Sequence, residues 1–160
     1  MKLLLFVCCE SASIDIASQN LSLFNLFETV NASSFPLPLQ RLTVVTWAER
    51  EKDEPRIVSY KTRWLLNGNK IGELPFELDF QDRLRSRAII QVAGLVINEP
   101  GVLEVQLRLG TRRVGSWTIQ VQQVSRPHKV ADGDGKTVQP AVAKKSGPAK
   151  KKKKVRRKRA

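Results

Sequence analysis

The stretch IVSYKTRWLL, Ile57–Leu66, decides the fold class. Mostly apolar or bulky side chains occupy every second position from Val58 to Leu66, and polar or basic side chains lie between them. A period of two is typical of a β-strand with one packed face and one solvated face. The pair Asn67-Gly68 follows, and both residue types accept the positive φ angles of a tight hairpin turn. The stretch therefore predicts a strand followed by a hairpin turn.

The return arm of this hairpin is predicted at residues 74–80. Its apolar residues are again two positions apart, and they alternate with Pro75, Glu77 and Asp79. Because proline has no backbone N–H to donate to a neighbouring strand, Pro75 predicts that this arm lies at a sheet edge or begins a new pairing.

The remaining chain is also rich in strand patterns. Residues 88–97 are apolar on both faces, which predicts either a central strand or one that is split by a kink at Gly94. Residues 98–101 (NEPG) form a predicted turn, and residues 110–113 another, so that two further hairpins are expected. Outside these segments, strands are predicted at residues 3–9, 21–30, 39–49, 102–109 and 117–121, and loops at residues 31–38 and 49–56.

About eight strands and no convincing helical period predict an all-β protein. We expect an antiparallel sandwich of two sheets. Residues 3–9 and 21–30 carry apolar side chains on both faces, more than a sandwich with solvated outer faces needs. Two interpretations stay open, namely an oligomer or partner contact and an outer face that a loop covers.

The charge of the chain is concentrated at its C-terminal end. The 160 residues have a formal net charge of +13, yet residues 129–160 hold thirteen basic and two acidic residues. Residues 125–160 also lack aromatic side chains and contain scattered glycine and proline, a composition that cannot bury enough apolar area to offset the entropy of ordering. We predict a folded body at residues 1–124 and a disordered basic tail at residues 125–160.

The N-terminal residues MKLLLFVCC resemble a short export signal. The apolar stretch is short, Glu10 follows it at once, and no small-residue cleavage pattern is present. We therefore predict a buried first strand in which the adjacent Cys8 and Cys9 face opposite sides. Two cysteines form no disulfide framework, which favours the cytoplasm. The sequence contains no run of about 18 apolar residues, so we predict no membrane span.

The sequence offers little material for catalysis. The single histidine, His128, follows the last predicted strand, and two cysteines without a structured histidine predict neither a thiol nucleophile nor a zinc site. Asp132-Gly133-Asp134-Gly135 lacks the frame of a calcium loop. Acidic residues at 49–54 and 79–82 lie beside arginine and lysine and are interpreted as solvated surface. We expect no enzyme, no cofactor and no small-molecule substrate.

The basic tail predicts binding to a polyanion. A segment of this charge density attracts DNA, RNA or the ribosome, and the absence of aromatic residues predicts binding without sequence preference. Two alternatives remain: a protein-interaction or homo-oligomerising adaptor in which the sandwich carries the function, and attachment to an anionic membrane surface. The candidate nucleic-acid contacts are Lys144, Lys145, Lys150, Lys151, Lys152, Lys153, Lys154, Arg156, Arg157, Lys158 and Arg159.

Four segments in order resemble a family of short, uncharacterised bacterial proteins. They are CCE near the start, NLSLFNLFETV, FPLPLQRLTVVTW and GLVINEPGVLEVQLRLGTRRVGSWTIQV, and the resemblance covers roughly residues 3–122. The resemblance implies an immunoglobulin-like β-sandwich. It implies no established activity and provides no catalytic residues.

Overall fold

A computed structural model describes residues 1–124, which form eleven β-strands and no helix. The predicted all-β class is confirmed. Three more strands are present than the predicted eight, because the predicted strands at 21–30 and 88–97 are each divided and the predicted loop at 31–38 contains a short strand. The strands are β1 (Lys2–Ile14), β2 (Leu21–Leu26), β3 (Thr29–Ala32), β4 (Leu37–Leu39), β5 (Leu42–Glu49), β6 (Ile57–Leu66), β7 (Asn69–Asp79), β8 (Arg85–Val92), β9 (Leu95–Ile97), β10 (Gly101–Leu109) and β11 (Arg112–Gln123).

The larger sheet has the order β3-β11-β10-β6-β7. It contains two hairpins, β6–β7 and β10–β11, and Pro75 lies on β7 at the sheet edge, as predicted. One pair departs from the predicted antiparallel arrangement: β3 runs parallel to β11, with Val30 opposite Val121. The sheet is therefore mixed.

The second sheet has the order β2-β1-β5-β8, and β4 pairs with β9 in a separate two-stranded sheet. Of the two alternatives for residues 88–97, the split is correct. Gly94 has a φ of 75° and separates β8 from β9. β8 lies at the edge of its sheet. The predicted hairpin around the turn at residues 98–101 is wrong, because β9 pairs with β4 and not with β10.

The core lies between the two larger sheets, which makes the body a sandwich. The alternation predicted for β6 is present, since Val58, Tyr60, Thr62, Trp64 and Leu66 are all less than 9% exposed. The other buried side chains of this core come from both larger sheets and from the β4–β9 pair. They include Phe6, Cys8, Leu42, Val44, Leu78, Phe80, Ile97, Leu103, Val105, Leu107, Ile119 and Val121.

One polar residue on the outer face of β10 is buried. Gln106 is 8% exposed, although it lies on the side of β10 that faces away from the core. β10 is the middle strand of five, with Arg63 and Ser116 opposite Gln106 on its two neighbours. Arg108 Nη1 donates a hydrogen bond of 3.1 Å to Gln106 Oε1. The outer face of a central strand is thus shielded by long side chains.

The turn between β6 and β7 has the geometry that its sequence predicts. Asn67 and Gly68 have φ angles of 50° and 83°. The Asn67 side chain also accepts a hydrogen bond of 2.9 Å from the Val102 N–H and donates one of 3.2 Å to the Pro100 carbonyl. The predicted turn at residues 98–101 is therefore held against the first hairpin.

Candidate functional site

The eleven basic residues predicted to contact nucleic acid, from Lys144 to Arg159, lie outside the described residues. His128 and the Asp132–Gly135 motif do so as well. What the structure does describe is the charge arrangement of the body.

Five carboxylates of the body lie within 4 Å of cations. Glu73 lies between Arg63, at 2.9 Å, and Lys70, at 3.3 Å, and the hydrogen bonds from these two residues hold the pKa of Glu73 below its usual range. The other four pairs are Arg56–Asp79 at 3.0 Å, Arg85–Glu49 at 2.8 Å, Arg113–Glu104 at 2.9 Å, and the Met1 amino group with Glu54. Five of the thirteen acidic residues in the range 1–124 are therefore neutralised locally.

β1 and β2 form a hairpin that folds over the outer face of the four-stranded sheet. β1 pairs with β5 through residues 2–9 and with β2 through residues 9–14, so its two halves have different partners. The Gln19 carbonyl, in the loop of this β1–β2 hairpin, accepts a 2.9 Å hydrogen bond from Arg87 Nη2. Arg87 lies on β8 at the opposite edge of the sheet. The loop of the hairpin must therefore lie over β5 and the N-terminal half of β1 to reach Arg87.

A second, smaller core lies beneath this β1–β2 hairpin. Val7, Cys9 and Val45 point away from the main core, yet they are only 5%, 0% and 0% exposed. Leu21 and Leu23 of β2 pack against them. Of the two interpretations of the surplus apolar residues, covering of the outer face is the one observed for these positions, and a hairpin rather than a loop covers them.

The two cysteines illustrate the division between the two cores. Cys8 belongs to the main core and Cys9 to the smaller one, and both are fully buried free thiols. Burial, with a contribution from the neighbouring Cys9, raises the pKa of Cys8 to about 12, and burial also raises the pKa of Cys9. Both shifts disfavour the thiolate, which is the form that acts as a nucleophile.

An open cleft of about 980 Å³ remains where the β1–β2 hairpin meets β5 and β8; we call it the hairpin cleft. Its apolar side consists of four leucines and Trp47, and its polar side includes three arginines and Glu49. The lining residues are Leu5, Gln19, Asn20, Leu21, Leu23, Trp47, Glu49, Arg83, Leu84, Arg85 and Arg87.

The three arginines of the hairpin cleft have different partners. The Arg87 guanidinium lies over the Trp47 ring, with its Cζ 5.7 Å from the ring centroid, while it also bonds to the hairpin loop. Arg85 Nε donates to Glu49 Oε1. Arg83 is exposed and forms no ion pair with any residue in the range 1–124. The cleft therefore holds three cations and one anion.

Arg50 fixes the rim of the hairpin cleft. Its backbone N–H donates to the Leu84 carbonyl at 2.8 Å, and its Nε donates to the Arg83 carbonyl at 3.3 Å. Its guanidinium also lies over the ring of the buried Phe80, with Cζ 5.9 Å from the centroid. The segment that precedes β8 is consequently anchored through its backbone, which leaves the Arg83 and Leu84 side chains directed at the cleft.

One local signal in the sequence indicates the cationic side of the hairpin cleft. Residues 83–87 read RLRSR, with arginine at every second position. Arg85 and Arg87 lie on β8, where alternation directs both to one face, and Arg83 lies just before the strand. No comparable local signal shows that Trp47 and the β1–β2 hairpin lie opposite them. Within residues 1–124, no cluster of His, Cys, Asp and Glu is placed to bind a metal ion, and no helix is long and apolar enough to cross a membrane.

Comparison with known protein families shows which family the chain matches. Residues 4–122 match a family described as "Family of unknown function (DUF6941)". This range includes every strand except the ends of β1 and β11. No curated protein matches the chain.

Proposed function

Because the chain belongs to DUF6941, a family of unknown function, we propose a role from its own residues: it is a non-enzymatic binding module that its basic tail attaches to nucleic acid. The target is DNA, RNA or the ribosome, bound without sequence preference. The proposed contacts are the eleven lysine and arginine residues between Lys144 and Arg159.

One observation carries this proposal, namely the difference in charge balance between the two parts of the chain. Residues 1–128 hold fifteen basic and thirteen acidic residues, so their charges nearly balance, and five of the acidic residues lie within 4 Å of a cation. Residues 129–160 hold thirteen basic residues against two acidic ones. The tail is therefore the part of the chain that attracts a polyanion.

The physics of phosphate binding makes the proposal quantitative. Each phosphate that a lysine or arginine neutralises releases condensed counterions, which adds about 0.9 to the slope of log affinity against log salt for duplex DNA. Several simultaneous contacts produce affinity that falls steeply with salt and is insensitive to base sequence.

The experiment measures binding of the full chain to a random-sequence duplex as a function of salt. Replacing the eleven basic residues by glutamine should abolish the binding. A matched control keeps the composition of residues 144–159 but scrambles their order, and it should bind like the natural chain. Undiminished binding by the glutamine variant, or loss of binding in the scrambled variant, contradicts the proposal.

A second candidate function is an interaction or homo-oligomerising adaptor. It is favoured by β2, an edge strand whose Phe24 and Leu26 side chains are 50% and 46% exposed. An exposed apolar edge can pair with a strand from another chain. Sedimentation of the full chain tests it: self-association should disappear in the Leu26→Lys variant, and a concentration-independent monomer in the natural chain contradicts this candidate.

The third candidate places the tail on an anionic membrane surface, where each cation contributes about 1 kcal/mol. Binding to phosphatidylserine-containing vesicles, without binding to duplex DNA at the same salt, would favour it over the first.

We further propose that the sandwich is of the immunoglobulin-like type and that the protein is bacterial and cytoplasmic. The two free cysteines support a reducing compartment.

A further inference from the structure

We propose that the hairpin cleft binds a small amphiphilic anion: an apolar chain or ring that carries a carboxylate or a phosphate. This inference goes beyond the role proposed for the tail and does not depend on it. It rests on the combination of apolar and cationic groups around one space.

The apolar side of the hairpin cleft suits the apolar part of such a ligand. Leu5, Leu21, Leu23 and Trp47 are half-buried and line the space, and Leu84 is 43% exposed at its rim. Covering these side chains would remove apolar surface from water, which stabilises a complex by about 25 cal/mol per Å². Val7, Cys9 and Val45 nearby are already covered by the β1–β2 hairpin and have no such surface to offer.

The polar side of the hairpin cleft suits an anionic head group. Arg85 is neutralised by Glu49, and the charges of Arg83 and Arg87 are left without a carboxylate among the described residues. A guanidinium presents parallel N–H groups that match the oxygens of carboxylate and phosphate. The backbone anchoring by Arg50 holds this rim in place before a ligand arrives.

The size of the hairpin cleft limits the ligand to a small molecule. Its volume of about 980 Å³ lies at the upper end of the range of about 300–1,000 Å³ found for small-molecule sites. Nucleic acid is a poor fit, since it needs a long row of cations and offers no apolar chain. Arginines on an edge strand also prevent edge-to-edge pairing, but that role requires neither Trp47 nor the facing leucines.

The test uses the full chain with decanoate as the probe and decanol as its uncharged counterpart, each displacing the fluorescent anion anilinonaphthalene sulfonate. The variants are Arg83→Gln with Arg87→Gln, and Arg83→Gln alone, which keeps the bond from Arg87 to the hairpin loop and should already weaken the preference for the anion. The control is Arg112→Gln with Arg113→Gln, which removes the same charge from β11 in the other sheet. The basic tail is identical in all four chains, so its contribution cancels.

We expect decanoate to bind the natural chain at least about tenfold more tightly than decanol does. Decanol has no carboxylate and therefore cannot accept charge-assisted hydrogen bonds from the arginines. The Arg83/Arg87 variant should lose this preference, and the β11 control should keep it. A second variant, Leu84→Ser, changes an exposed side chain and should weaken decanoate binding by several-fold while leaving butanoate unchanged. Equal loss in the variant and the control, or equal affinity for decanoate and decanol, overturns the proposal.

Discussion

Replacing Val45 by alanine tests whether the β1–β2 hairpin covers the outer face of the four-stranded sheet. Val45 points away from the main core, and a bare sheet face would leave it in contact with water. It is instead 0% exposed and packs with Val7 and Cys9 beneath the hairpin. The cost of removing its two methyl groups therefore reports on the cover.

The magnitude follows from the burial. Two buried methyl groups contribute about 1.6 kcal/mol of transfer free energy. The cavity that they leave adds about 1 kcal/mol, because packed surroundings relax only in part. We expect Val45→Ala to lower the free energy of unfolding by about 2.5 kcal/mol. The matched control is Val102→Ala, which removes the same atoms from a side chain that is 40% exposed, and should cost about 0.5 kcal/mol or less.

Urea denaturation, followed by tryptophan fluorescence, measures the free energy of unfolding of both variants. The slope of this free energy against urea concentration should be the same in both. Thermal denaturation should show the same order, with a shift of about 4 °C per kcal/mol for a body of this size. If Val45→Ala cost no more than Val102→Ala, the outer face would be open to solvent and the geometry of the hairpin cleft would be wrong.

Three further predictions concern other parts of the body. Gly72→Ala should destabilise the fold by about 1–3 kcal/mol in thermal denaturation, because a Cβ there would lie 2.6 Å from Cε3 of Trp64; an unchanged melting temperature would contradict this. Cys8 and Cys9 should not react with a disulfide reagent at pH 8 until urea unfolds the chain, since both thiols are buried and their pKa values are raised; rapid labelling of the native protein would refute their placement. The lowered pKa of Glu73 means that its ionised form stabilises the fold at pH values above the pKa that Glu73 has in the unfolded chain. This stabilisation is lost as the pH falls through the pKa of Glu73 in the folded protein. The free energy of unfolding of the Glu73→Gln variant should therefore fall less than that of the natural chain between pH 6 and pH 3.

The strands could be predicted wherever their signals are local. The alternation in Ile57–Leu66 and the Asn67-Gly68 turn need only neighbouring residues to be recognised, and both are confirmed. Gly94 likewise indicated where residues 88–97 divide.

Errors arose where a distant partner decides the structure. Residues 21–30 were predicted as one strand with apolar side chains on both faces, but they form β2 over the outer face and then β3 in the other sheet. The parallel pairing of β3 with β11 joins residues far apart in the chain, and no local pattern indicates it. Both kinds of contact are set by tertiary packing rather than by periodicity.

The hairpin cleft could be predicted only in part. The alternation of Arg83, Arg85 and Arg87 in the sequence indicates a cluster of cations, of which Arg85 and Arg87 lie on β8 and Arg83 lies just before it. That Trp47 lies beneath Arg87 follows from the register of β5 with β8, which depends on the whole sheet. The predicted contacts of the tail with nucleic acid stay a prediction, since those residues lie outside the described range.

The parallel pairing of β3 with β11 has a consequence for biosynthesis. β3 leaves the ribosome about 90 residues before its partner, which corresponds to about 5–18 s at ordinary translation rates. Throughout this interval the nascent chain carries an incomplete sheet whose backbone groups are open to neighbouring polypeptides. The five-stranded sheet can therefore be completed only late in translation, after β11 has emerged.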